Sequence, residues 1–256
     1  MLLKEILDEP YKSNDFTGDK SVPNVPLPKD RLQRIGQGYF SDVYSIKDNP
    51  HEVVKHSSAA TGDKASGREP DLYSDYYKAS GREPDLYSDY DEGFKYYAEA
   101  ILADNSAASN PYFPRIRAYN INNKEHKYII ETLQPLDSII HWVDPEEDSE
   151  EFKHQISIVD SLGKRIFSNW EAITHYRHNN TGATKLLSTI IECIGYACNG
   201  SYDSSIKDAN LIQAISLIRD IKSKNRTLIV DIHKENLMFR MTRNGVQLVI
   251  TDPFTA

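Results

Sequence analysis

The sequence has no apolar run approaching the length of a membrane span. Its opening stretch, MLLKEILDEPYK, sets acids beside its few apolar residues and lacks the apolar centre of a signal peptide. Cysteine is scarce. Only Cys193 and Cys198 occur, and their spacing points them in different directions on a helix, which argues against a bridge. They read as core thiols of a reducing compartment. Positive charge is in deficit: 30 Lys and Arg stand against 38 Asp and Glu, a formal net charge of −8. That balance argues against non-specific attraction to nucleic acid or anionic lipid as the basis of partnering. Together these absences predict a cytosolic protein with no membrane segment and no direct nucleic-acid binding. What is present is ordinary for a folded chain: 256 residues, 39% hydrophobic and 27% charged, enough for one substantial core or two small packed lobes.

The first thirty residues end in SVPNVPLPKD, whose prolines predict an extended lead-in. From Arg31, RLQRIGQGYFSDVYSIKD and HEVVKH alternate apolar and polar residues around glycine and Asn-Pro turns, predicting two or three antiparallel strands. KASGREPDLYSDY then occupies 64–76 and recurs unchanged at 78–90, a period of 14 residues. Two copies are too few for a solenoid, and the unit has neither helical nor strand period, so it reads as a tolerated loop insertion. A helix is predicted from about Asp91 to Ala103, with Phe94, Tyr97, Ala98, Ile101 and Leu102 on one stripe. Two further strands follow in FPRIRAYNI and HKYIIETL. An acid-led helix carries Phe152, Ile156, Val159 and Ile166; another spans about 183–198, and a third about 207–223. Last comes a hairpin, LMFR turned by RNG into QLVIT. The expected fold class is α+β.

The chemistry concentrates in three places. Gly36 and Gly38 in IGQGYFSDVY flank a turn between strands, where backbone N–H groups can approach phosphates. The loop is no Rossmann fingerprint, since Ser41 stands at the third glycine position, and no Walker lysine is present. Lys55 in VVK lies within an apolar strand and needs a partner, for which a bound phosphate is one candidate; an edge-strand lysine facing water is the other reading. In VDIHKENLMFR, Asp231 and Asn236 precede the hairpin and Asp252 follows it. The returning chain makes Asn236 and Asp252 neighbours, an amide oxygen and a carboxylate able to hold magnesium bearing nucleotide phosphates. Asp231 then stands where it can orient or deprotonate a hydroxyl. Taken singly, each of these residues also fits a turn-capping role.

The ordered set GQGYFSDVY, VVK, DIHKEN and TDPF resembles the protein-kinase-like superfamily, and its loops are most similar to the early serine/threonine protein kinases of T-odd bacteriophages. The resemblance runs from about residue 31 to the end. It implies a two-lobed fold: an extension over 1–30, a β-rich N-lobe over 31–133 containing the duplicated loop at 64–90, and a reduced helical C-lobe over 134–256. Carried over, Gly36, Gly38, Ser41 and Val43 cover ATP, Lys55 pairs the α- and β-phosphates, and Asp231 accepts or orients the hydroxyl. Asn236 and Asp252 hold Mg2+. Glu131 to Leu133 meet adenine through backbone groups, with Ile130 behind them. Glu99, or else Glu92, is the helix partner expected for Lys55.

The chain departs from the eukaryotic pattern. Ile229 and Val230 replace the His-Arg pair before the catalytic acid, His233 stands where a lysine is usual, and DPF replaces DFG with only Thr255 and Ala256 after it. The D-x-H-x-x-N form is shared with aminoglycoside- and choline-type phosphotransferases. The resemblance thus implies an ATP- and Mg2+-dependent protein serine/threonine kinase acting on bacterial host proteins, and on itself, in the cytoplasm of an infected cell. A small-molecule phosphotransferase and a kinase-shaped, non-catalytic inhibitor of a host factor are the alternatives.

Overall fold

The computed structural model describes residues 31–37, 41–58, 92–121, 125–140, 149–177, 182–201 and 205–255. The lead-in, the duplicated stretch and Gly38 lie outside the described residues. The architecture is α+β.

Five antiparallel strands form the first sheet: β1 (Leu32–Gln37), β2 (Ser41–Ile46), β3 (Asn49–Ser58), β4 (Ile116–Ile121) and β5 (Glu125–Glu131), in spatial order β1-β2-β3-β5-β4. The β2–β3 turn falls at Lys47 and Asp48, with Asp48 in the left-handed region (φ 66°), so Asn49-Pro50 opens β3 rather than making the turn. β3 lies between β2 and β5. Lys55 is therefore central to the sheet, which rules out the edge-lysine reading. Its side chain is only 12% exposed.

Helix α1 (Glu92–Ala103) and the one-turn α2 (Asn105–Ala108) intervene between β3 and β4. In α1 the predicted stripe is the buried one: Phe94, Tyr97, Ala98 and Ile101 are all below 5% exposure, with Leu102 at its margin. After β5 come β6 (Gln134–Pro135), a 3-10 turn at Leu136–Ser138, and helices α3 (Glu150–Ile166), α4 (Trp170–Arg177), α5 (Ala183–Cys198) and α6 (Ala209–Lys224). Ser149 caps α3 by accepting from the Phe152 N–H, and the acids Glu150 and Glu151 fall in the first turn, as the helix dipole favours. Asp208 caps α6 by accepting from Asn210 and Leu211, which moves that helix's start two residues past the expected one. α3 packs on α5, α5 on α6, and α1 on α6. Leu186, Leu187, Ile190 and Ile194 meet Leu211, Ala214, Ile215 and Ile218 in one continuous core, which also buries both cysteines. Among the described residues no helix is long and apolar enough to cross a membrane.

The chain ends in two small sheets. β8 (Leu237–Thr242) and β9 (Gly245–Ile250) form the predicted hairpin, with β6 on the outer side of β8. Gly245 supplies the left-handed residue of the turn (φ 100°), a conformation that a side chain would strain. β7 (Ile229–Val230) pairs with β10 (Phe254–Thr255). These two-residue strands were not legible in the sequence, yet they fix the candidate site.

Candidate functional site

Two antiparallel pairings fold the end of the chain into a loop cluster. Leu237 pairs with Ile250, and the Thr251 N–H donates to the Asn236 carbonyl at 2.9 Å, so the hairpin's two ends meet as expected. Phe254 pairs with Val230, and the Asp231 N–H donates to the Pro253 carbonyl at 2.8 Å. Asp231, Asn236 and Asp252 are thereby held by backbone bonds on both sides.

Within the cluster, the Asn236 side-chain amide donates to the Asp231 carbonyl at 2.8 Å, which leaves its own carbonyl oxygen for another group. His233 caps the 3-10 turn Lys234–Asn236: its Nδ1 accepts from the Glu235 N–H at 3.2 Å. The hydrogen of a neutral ring then sits on Nε2, 3.2 Å from Asp231 Oδ2 and 2.9 Å from the Asn236 amide nitrogen. Asp231 stays 38% exposed, open to an incoming molecule.

The sheet contributes Lys55. Its ammonium donates to Asp252 Oδ2 at 2.5 Å, an ion pair between residues 197 apart in sequence. Val43 stands opposite Lys55 on β2 and Tyr128 opposite it on β5. Ile130, buried, lies one pleat further along β5 on the same face. Gly36 pairs with Val43 across a bulge in β1, and Ser41 opens β2 beside it. No ion pair among the described residues joins Lys55 to Glu99, the first-choice helix carboxylate, and the Glu92 side chain lies outside the described residues. Instead Lys55 sits over the Phe94 ring of α1, 3.8 Å from its centroid.

α1 is pressed against the same cluster. The Tyr97 hydroxyl donates to the Ile250 carbonyl at 2.7 Å, and its ring meets Phe254 edge-on at 6.4 Å. Burial pushes the Tyr97 hydroxyl well above the usual tyrosine range, and the charges of Asp252 and Cys198 push the same way. At Gly93 a Cβ would lie 3.0 Å from Phe254 Cβ, so glycine there permits the close approach of helix to strand.

In the connection Glu131–Leu133 part of the backbone is already engaged. The Glu131 N–H donates to the Arg115 carbonyl and the Thr132 N–H to the His51 carbonyl, so both donors are engaged within the chain. Leu133 alone of the three has an N–H making no such bond among the described residues. The Glu131 carboxylate carries the weight instead. It is 8% exposed and binds Arg240 of β8 through two guanidinium nitrogens, Nε at 2.9 Å and Nη2, while accepting from the Arg115 N–H at 2.9 Å. Arg240 also donates to the carbonyls of Pro111 and Phe113 at 2.7 and 2.8 Å. Arg240 and Phe94 were missed as site-supporting residues. The available signal for Arg240 was a lone cation in the apolar strand LMFRM.

The site fits a hard cation in part. Asp252 and Asn236 offer a carboxylate and an amide oxygen, the donor types magnesium takes, and such ions complete their shells with waters and ligand phosphates. Among the described residues no cluster of three His, Cys, Asp or Glu could enclose a metal by itself. A separate surface depression of about 470 Å³, lined by Lys164, Phe167, Asn169, Trp170 and Lys207 at the α3–α4 corner, shares no residue with this cluster. No protein-family model matches the sequence, and no curated protein matches it.

Proposed function

We propose that the chain is an ATP- and Mg2+-dependent phosphotransferase of two-lobed, protein-kinase-like build, acting on serine or threonine hydroxyls of bacterial host proteins in the manner of bacteriophage kinases. The observation that carries this reading is the meeting of Lys55 with Asp252 at 2.5 Å, beside Asn236 and Asp231. A strand lysine, a loop acid, an amide and a hairpin acid converge from separate parts of the chain, in the chain order in which protein-kinase-like phosphotransferases carry them. A structural ion pair would need only the first and last.

In this reading Gly36, Ser41 and Val43 lie over the nucleotide, Lys55 takes its α- and β-phosphates, and Ile130 and Leu133 line the base. Asn236 and Asp252 would hold Mg2+, which supplies charge neutralisation on the phosphates. Asp231 accepts the hydroxyl proton as the oxygen–phosphorus bond forms and the bond to the β-phosphate's bridging oxygen breaks, releasing ADP. His233 Nε2 lies 3.2 Å from Asp231 Oδ2, so its ring bounds that carboxylate on one side. Catalysis is then mainly positioning and charge neutralisation.

His233 also favours a second reading, a small-molecule phosphotransferase, because it stands at the sequence position where a protein kinase carries lysine and its ring lies beside Asp231 and Asn236. Labelled ATP offered to bacterial extract proteins and to a panel of hydroxylated small molecules separates the two. Label on protein serine or threonine, lost in Asp231→Ala with folding intact, is the expected result. Label on a small acceptor alone establishes the second reading. Full biological effect without transfer in Asp231→Ala and Lys55→Ala would establish a non-catalytic inhibitor of a host factor.

A further inference from the structure

Among the described residues Lys55 has two neighbours at its ammonium, the Asp252 carboxylate and the face of Phe94, 3.8 Å from Nζ to the ring centroid. Phe94 lies on the first turn of α1 and is 4% exposed. Its ring is gripped edge-on by Tyr128 at 4.8 Å and by Tyr97 at 6.2 Å. Tyr128 stands directly opposite Lys55 across β3 and β5, so strand and helix together immobilise the ring under the ammonium. An ammonium over an aromatic face is attracted by the ring quadrupole, and more strongly when withdrawn from water. Lys55, at 12% exposure, is so withdrawn.

We infer that Phe94 is the positioning residue for Lys55: its ring face holds the ammonium from the α1 side, where a helix carboxylate was expected. The distinction has a chemical consequence. A carboxylate would orient the lysine and cancel its charge together. A ring orients it and leaves the charge whole. Among the described residues the one anion on Lys55 is Asp252, the same acid assigned to the metal. When Asp252 turns to a cation, Lys55 is left oriented with its full charge directed at an anionic ligand, which on the proposed reading is a nucleotide diphosphate. The inference rests on that reading for the ligand, but not for the contact.

The test uses the full chain with Phe94 replaced in turn by mono-, di- and trifluorinated phenylalanine, which keep the ring's shape while draining its quadrupole. Three quantities are followed: the NMR shifts of the Lys55 ε-methylene protons, the Mg2+-dependent affinity for a fluorescent ADP analogue, and the thermal midpoint. The expected result has three parts. Ring current shifts the ε-protons upfield in the parent chain, and the shift recedes stepwise with fluorination. ADP affinity falls progressively, by about 3- to 30-fold over the series. The thermal midpoint stays level. Phe94→Trp retains the affinity and Phe94→Leu loses it. Absence of the ring-current shift overturns the inference, as does affinity that ignores fluorination while Lys55→Met lowers it. If Lys55→Met leaves ADP affinity unchanged, or no ADP binds, the nucleotide reading fails instead, and the ring-current shift alone decides the contact.

Discussion

Replacing Arg240 by methionine removes the guanidinium that ties β8 to the end of β5 while keeping most of the side chain's apolar stem. The loss comprises two charge-assisted bonds to Glu131 and one bond each to the Pro111 and Phe113 carbonyls. What remains is worse than the lost bonds. Among the described residues Glu131, 8% exposed, keeps only the Arg115 N–H at 2.9 Å to stabilise a full negative charge away from water. Removing one partner of a buried pair costs about 3–5 kcal/mol, because the survivor is left uncompensated. Against a typical total of about 5–15 kcal/mol, that is a large fraction of the fold's stability. Glu131→Gln alone is expected to cost less, about 1–3 kcal/mol, since the amide oxygen can still accept from Arg115. The double variant carries no stranded charge, so its cost should fall short of the sum by about 2 kcal/mol or more. Urea unfolding at neutral pH, followed by far-UV circular dichroism, measures all three. A cost below about 1 kcal/mol for Arg240→Met, or a strictly additive cycle, refutes the reasoning that this pair clamps the two parts of the chain together.

Three other outcomes follow from single contacts. Gly163→Ala places a methyl 2.2 Å from Trp170 Cε2, so the stacked Trp170–Phe167 pair must shift and the Trp170–Asp160 bond at 2.9 Å is disturbed; a loss of about 1–3 kcal/mol is expected in urea unfolding, with altered tryptophan emission. Tyr97 and Tyr112 have hydroxyls raised by burial, and Tyr112 further by the negative charge of Asp208, to which it donates at 2.8 Å. The folded chain keeps protons that the unfolded chain releases near pH 10, so stability is full below that pH and falls as pH rises above it. Tyrosinate absorbance should therefore appear for these two residues only together with unfolding; a smooth titration in the folded protein would count against it. Asp104 caps α2 by accepting from the Ser106 hydroxyl and N–H, which lowers its carboxyl below the usual range. Its contribution is present above the unfolded carboxyl range and lost as pH falls through the folded value, an order that an Asp104→Asn variant should flatten on acid titration.

Much of the architecture could be read before the structure, and the parts that could not share a cause. The stripes of α1, α5 and α6 were legible because burial on one face writes a period of 3.6 into the sequence. The hairpin was legible because RNG between two apolar runs is a turn signal, and from it followed the adjacency of Asn236 and Asp252. β7 and β10 are two residues long and carry no period, so their pairing, which brings Asp231 beside Pro253, left no local trace. The same holds for α4, whose short run of eight residues is defined by Trp170 packing back on Gly163 rather than by its own pattern. Lys55 was correctly singled out as a lysine needing a partner; that the partner is Asp252, from the far end of the chain, is a tertiary fact. Phe94 was read as core, which it is, but its second role over Lys55 depends on the rotation of α1 about its axis. Glu131 was expected to act through its backbone because the resemblance places KYIIETL at the adenine-binding connection; that its carboxylate answers Arg240, three strands later in the chain, is a tertiary fact.

The central claim is that Lys55, Asp231, Asn236 and Asp252 form one magnesium-dependent nucleotide site. Calorimetric titration of the full chain with ADP, in Mg2+ and then in chelator, tests it most directly. The account predicts binding in Mg2+, its loss in chelator, and its loss in Asp252→Ala with the circular dichroism unchanged. Absence of ADP binding to the parent chain, or binding indifferent to both Mg2+ and Asp252, would contradict it.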